Sequence, residues 1–139
     1  MKRVMLTICG RQNYLDQDPE VIELVTEGIL RKKGDGWCIT YEESELTGLA
    51  GVMTTFELQP EKITLTRKGP LSSQMIFQPG VTHESLYQLE FGALMIAVRA
   101  TRTSYDVTLQ GGTVDLAYNI EIENTAAGTI DYHLDIRAI

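Results

Sequence analysis

The sequence predicts an all-β protein: a closed, antiparallel, up-and-down β-barrel of about eight to ten strands. Three observations carry that expectation. In the last thirty residues or so, Val114, Leu116, Tyr118, Ile120 and Ile122 alternate with polar neighbours, and Ile130, Tyr132, Leu134 and Ile136 do the same. Alternation this strict puts one face in a core and the other in water. Turn signals recur at short, even intervals: Gly34-Asp35-Gly36, Pro60, Gly69-Pro70, Pro79-Gly80, Gly92, Gly111-Gly112 and Gly128. No stretch carries a helical period. A meander of about ten strands must protect its edges, and closure removes them altogether. A two-sheet sandwich is the alternative that strand order would decide.

Taken in order, residues 3–11 alternate Val4, Leu6 and Ile8 with Met5, Thr7 and Cys9, a strand without a clearly polar face. Tyr14–Glu20 is acidic, contains Pro19 and reads as a loop. Asp18-Pro19 would suit a helix start. The β-branched Val21, Ile22, Val25 and Thr26 instead make 21–33 a strand. A hairpin follows, with Asp35-Gly36 expected at its centre. Strands are then expected at 37–45, 51–59, 63–68, 72–78, 83–91, 93–105, 113–123 and 129–137. The turn between the third and fourth holds Thr47, Gly48 and Gly51, followed by Val52.

The chain has 139 residues, 43% of them hydrophobic, enough for one domain spanning 1–139 with a buried core. Its formal charge of -7 argues against nucleic acid or an anionic membrane as partner. Arg31-Lys32-Lys33 is a short basic run of the kind that solubilises a hairpin. The two cysteines, Cys9 and Cys38, are too few for a disulfide framework and are read as reduced thiols. The N-terminal apolar run is too short for a secretory signal, and no segment approaches the roughly 20 apolar residues of a membrane span. The expectation is a cytoplasmic protein.

Several short motifs, in a fixed order, resemble the YwiB-like family of small bacterial proteins. They are Thr26–Gly28, Tyr41-x-Glu43-x-Glu45, Thr47-Gly48-Leu49-x-Gly51, Thr54-Thr55 and Ile63-x-Leu65-x-Arg67-x-Gly69. Met75-x-Phe77-x-x-Gly80, Tyr87 with Gly92, Thr101, and Gly112 with Tyr118 continue the series. Leu89 departs from it, standing where a small polar residue is expected. The resemblance implies a calycin-like, lipocalin-like barrel and brings no reaction with it.

The residues that bear on function are polar ones in the apolar register: Glu43, Thr54, Arg67 and Ser73. If strands alternate up and down, Glu43 and Arg67 sit near one end, on strands separated by a single neighbour. That is roughly 10 Å across the sheet, within reach of long side chains. An arginine inside a barrel needs a countercharge, and Glu43 is the natural one. The pair reads either as a structural plug or as an anchor for a ligand carboxylate, phosphate or other polar head. Trp37, Tyr41, Phe56, Met75, Phe77, Tyr87 and Tyr118 would line the interior, as core or as the wall of a small pocket.

No phosphate loop, nucleophile elbow, zinc pair or dinucleotide fingerprint occurs. Glu43 and Glu45 beside Arg67 would have lowered pKa values, unsuited to acid–base work. His83 is expected at a barrel rim and His133 on the solvent face, too few for a metal site. The reading is therefore a non-enzymatic barrel, with no cofactor and no metal. It binds a small, partly apolar ligand through Tyr41, Glu43, Thr54, Phe56, Arg67, Ser73, Met75, Phe77, Tyr87 and Tyr118. The alternative is a filled barrel acting as an interaction module or homodimer through the outer face of 93–98. That face shows Met95 and Ala97 opposite Leu94, Ile96 and Val98, and something must cover it, the N-terminal strand or a second subunit.

Overall fold

Alternating apolar residues make strands only where each side chain has a core to enter, and here they enter one common interior. A computed structural model describes residues 1–15, 17–43, 50–89 and 91–139, with Leu89 described in its backbone only. Ten strands follow in sequence among them. They are β1 (Lys2–Tyr14), β2 (Glu20–Lys33), β3 (Gly36–Glu42), β4 (Met53–Leu58), β5 (Ile63–Lys68), β6 (Ser73–Phe77), β7 (Thr82–Leu89), β8 (Gly92–Thr108), β9 (Gly111–Ile122) and β10 (Thr125–Ala138). No helix long and apolar enough to cross a membrane occurs among the described residues.

The sheet order is β6-β5-β4-β3-β2-β1-β10-β9-β8-β7. Successive strands pair antiparallel at every step except β6 to β7, and β1 pairs with β10 from Val4↔Ala138 to Tyr14↔Gly128. The N-terminal strand is thus part of the wall, between β2 and β10, and covers no outer face. The circle is nearly closed at β6 and β7, which share no ladder. Two reciprocal bonds stitch them at one end, Ser72 N–H to Gln88 C=O at 3.0 Å and Gln88 N–H to Ser72 C=O at 2.8 Å. At the other end Gly80 N–H donates to Ala100 C=O at 3.1 Å. Ala100 adjoins a bulge in β8 at Thr101, whose hydroxyl bonds Ala117 C=O at 3.3 Å. A bulge bends its strand, and here the bend meets the β6–β7 turn.

Register builds the interior in rows. Trp37, Leu58, Ile63 and Phe77 form one, and Ile39, Phe56, Leu65 and Met75 the next. Across the barrel Val4, Leu6 and Ile8 face Ile136 and Leu134 through the β1–β10 ladder. Trp37 is only half-buried: it closes the end of the barrel, with the Lys32 ammonium 4.8 Å from its ring centroid. Cys9 and Cys38 are free thiols on β1 and β3.

Two turns differ from the sequence reading. The β2–β3 loop is Gly34-Asp35, with Lys33 paired to Gly36, one residue earlier than expected. Gly36 stays in the ladder because a Cβ there would run into the Leu58 carbonyl. Gly34 takes the left-handed angle at the first loop position, φ 57°, where glycine is at ease. The β9–β10 turn is Glu123-Asn124, both with positive φ (51° and 64°), so it begins one residue before the expected Asn124–Gly128 turn and ends at its first residue, with β10 starting at Thr125.

Gly112→Ala should cost about 2–4 kcal/mol, because its φ of 150° strains any side chain and the new Cβ would meet the Asp106 carbonyl. Gly34→Ala, with nothing within 4 Å of the new Cβ, should cost only about 1 kcal/mol. Urea unfolding of both variants checks the difference, and equal losses would show that the ladder at Gly112 tolerates a side chain.

Candidate functional site

One row of the barrel breaks the apolar rule. Tyr41 pairs with Thr54, Thr54 with Arg67, and Arg67 with Ser73, so four polar side chains from β3, β4, β5 and β6 enter the interior at one level. Glu43 lies two residues beyond Tyr41, held by its N–H to Val52 C=O at 2.8 Å. Its carboxylate accepts the Thr54 hydroxyl at 2.9 Å, and both residues are buried. Glu43 and Arg67 therefore stand at the same end of the barrel, on strands with β4 between them. Glu45, Thr47 and Gly48 lie outside the described residues.

Tyr132 reaches this row from β10, on the opposite wall. Burial works against the Arg67 charge, yet Tyr132, Tyr41, Tyr118 and Glu43 outweigh it and hold the guanidinium pKa above its ordinary value. Arg67 is charged at any pH the fold survives. Burial raises the phenol pKa values of Tyr14, Tyr41, Tyr87, Tyr118 and Tyr132, against the pull of Arg67 at all but Tyr41. Tyr132 also has hydrogen-bonding interactions with Tyr41 and Arg67 that draw its pKa back down. The site is thus one permanent cation among neutral phenols, with a carboxylate on one side.

Two cavities meet at that cation. The smaller, about 100 Å³, is lined by Tyr41, Glu43, Arg67, Gln12, Tyr132 and the apolar ends of β1 and β2. The larger, about 360 Å³, is lined by Arg67, Tyr14, Tyr87, Tyr118, Tyr132 and Gln12, with Met75, Leu94, Ile96, Ile120, Ile122 and Ile130 as its apolar wall. Gln12, Arg67 and Tyr132 belong to both. The Arg67 Nε and the Ser73 Oγ are buried and have no hydrogen-bond partner in the protein. Leaving a buried donor unsatisfied costs about 1–3 kcal/mol, so an acceptor from outside the chain stabilises such a group.

The ten expected site residues divide accordingly. Tyr41, Glu43 and Arg67 line the smaller cavity, and Arg67, Met75, Tyr87 and Tyr118 the larger. Thr54 and Ser73 flank Arg67 in its row without lining either cavity. Phe56 and Phe77 line neither cavity. Both are almost wholly buried, Phe56 between the rings of Tyr41 and Tyr132 and Phe77 against Tyr118 at 4.5 Å. They sit one and two rows deeper, where aromatic neighbours take the space a ligand would need. Tyr132 and Tyr14 were missed. Tyr132 lay in plain apolar alternation, where its hydroxyl gave no signal, and Tyr14 was assigned to a loop although it ends β1.

The histidines stand apart. His83 pairs with Gln78 at 3.2 Å near the seam. His133 is half-exposed, as a solvent-face residue should be, but it is held: its Nδ1 lies 2.7 Å from Asp115 and its Nε2 3.4 Å from Asp135. Among the described residues no three His, Cys, Asp or Glu gather as metal ligands would.

A family model described as "Domain of unknown function (DUF1934)" matches residues 6–136. No curated protein matches the chain. The crystal structure of ywiB protein from Bacillus subtilis is similar across 96% of this chain and 91% of that one, with a TM-score of 0.83 and 19% identity. That similarity supports the barrel fold and, at this identity, speaks for the fold alone.

Thr54→Val, which keeps the shape and removes the donor to Glu43, should destabilise the barrel by about 1–3 kcal/mol. Denaturant unfolding checks it, and an unchanged midpoint would mean that Thr54 adds nothing to the hold on Glu43. His133 should titrate above 6.5, chiefly through its bond to Asp115. Its contribution to stability is then complete below pH 6.5 and lost as pH rises through the folded-state pKa. Imidazole NMR shifts in the wild type and Asp115→Asn test this, and no downward move in the variant would refute the assignment.

Proposed function

The chain belongs to the DUF1934 family, and for this member we propose a barrel that binds one small, partly apolar ligand by an anionic or polar head at Arg67. The observation that carries the proposal is the buried Arg67 Nε, an N–H without an acceptor, on a side chain that lines both interior cavities. A purely structural plug would be expected to satisfy its own donors. At about 360 Å³ the larger cavity falls within the size range of small-molecule sites. The role is retention without catalysis, a reading supported by a lining that, among the described residues, holds no Ser, Thr, Cys, Lys or His. Two unpaired thiols fit a reducing compartment, and we place the protein in the cytoplasm on that basis.

The second reading, self-association through the outer face of β8, has weaker support. Leu86 and Met95 form an apolar pair there, with Leu86 exposed. Glu84 and Glu121 flank Ala97 in the adjoining row, and Glu123 accepts the Met95 N–H at 2.8 Å. A second copy would bring the same carboxylates against these.

Native mass spectrometry of the untagged protein, purified gently from its own host, tests both readings. The expected result is a monomer carrying a discrete adduct that is absent from the Arg67→Met, Glu43→Gln double variant. The double change avoids stranding a buried carboxylate without its cation. A clean mass with no adduct in the wild type, or an adduct retained by a folded double variant, would overturn the binding proposal, and a dimer mass would favour the second reading.

A further inference from the structure

We infer that the head of the ligand carries a single negative charge, as a carboxylate or phosphodiester does, and that dianionic phosphate monoesters are excluded. This rests on the binding proposal above and narrows it. Among the described residues lining the larger cavity, Arg67 is the one charged group. The other polar members are Gln12, Tyr14, Tyr87, Tyr118 and Tyr132. Phenol and amide groups can donate hydrogen bonds to an anion, but none cancels a charge. On the other side of Arg67, Glu43 lines the smaller cavity and acts electrostatically on the same guanidinium. The next basic side chain along the strand, Lys68, is exposed and on the opposite face. One cation therefore serves every anion that enters. A first negative charge gains the free Nε–H and neighbouring phenol donors. A second would be buried without a countercharge, which low-dielectric surroundings penalise heavily.

The body of the ligand follows from the remaining wall. Met75, Leu94, Ile96, Ile120, Ile122 and Ile130 offer an aliphatic surface with no hydrogen-bonding side chain among them. Leu94 is 37% exposed, so this wall is continuous with the barrel mouth. A compact hydrocarbon group would remove that surface from water, and such burial is favourable in proportion to area. Glu43 is held by Thr54 and by its backbone bond to Val52, so the carboxylate is fixed in place against the second charge.

Isothermal titration of the full chain at pH 8 with octanoate, octyl methyl phosphate, octyl phosphate and octanol separates the possibilities. All four share one tail. At that pH octyl phosphate is mostly dianionic, its second pKa being about 6. The two monoanions should bind with similar affinity, and octyl phosphate and octanol each at least about tenfold more weakly, a difference of about 1.4 kcal/mol. Octyl phosphate binding as tightly as octanoate would overturn the single-charge inference and leave the binding proposal standing. Octanol binding as tightly as octanoate would overturn the role of charge. Heat from none of the four would remove both, in favour of a filled barrel.

Discussion

A permanent positive charge inside a β-barrel is the constraint on which the upper half of this structure turns. Arg67 cannot escape by losing its proton, so its surroundings must be arranged to keep it. Nearly every departure from an ordinary apolar interior lies within reach of it: Tyr41 and Thr54 in its own row, Glu43 beyond them, Tyr132 from across the barrel. These groups crowd around the guanidinium where plain packing would have placed isoleucine or phenylalanine. Below that level the rows return to hydrocarbon and aromatic rings. The barrel is therefore two materials joined at one residue, a tightly filled plug underneath and an incompletely filled chamber above, polar around the guanidinium and aliphatic along its far wall.

The same division explains what the amino-acid order revealed. Strand positions were legible because inner faces are more buried than outer ones, and that contrast writes a period of two into the sequence. Glu43, Thr54, Arg67 and Ser73 were legible as exceptions to that period. Tyrosines were not, since a phenol satisfies the apolar pattern and hides its hydroxyl. This is why Tyr132 escaped notice while Arg67 did not. Phe56 and Phe77 face inward as their register implies but line neither cavity, because register fixes only which wall a side chain leaves, not how deep a void reaches. Depth depends on what stands opposite, here Tyr132 and Tyr118, and those neighbours come from strands far along the chain. Turn centres erred by a residue or more for a related reason. Gly36 is glycine because of the Leu58 carbonyl beside it, a contact made by a different hairpin.

Closure was the least readable property of all. An alternating meander fits an open sheet, a sandwich or a cylinder equally well. What decides here is the β1–β10 ladder, whose members lie at opposite ends of the chain.

That ladder has a kinetic consequence. Of the nine junctions between successive strands, eight join strands that share a ladder, so most of the wall can assemble as successive local hairpins. Such a chain naturally yields two growing ribbons, Lys2–Phe77 and Thr82–Ala138, whose backbones join through β1 and β10 and at the β6–β7 stitch. Loop-closure entropy makes the longest-range pairing the last to become favourable. The chamber around Arg67 takes side chains from both ribbons, Tyr41 from one and Tyr132 from the other. Its electrostatic balance is consequently settled in the final stage of folding, and until the ribbons dock the arginine is still hydrated.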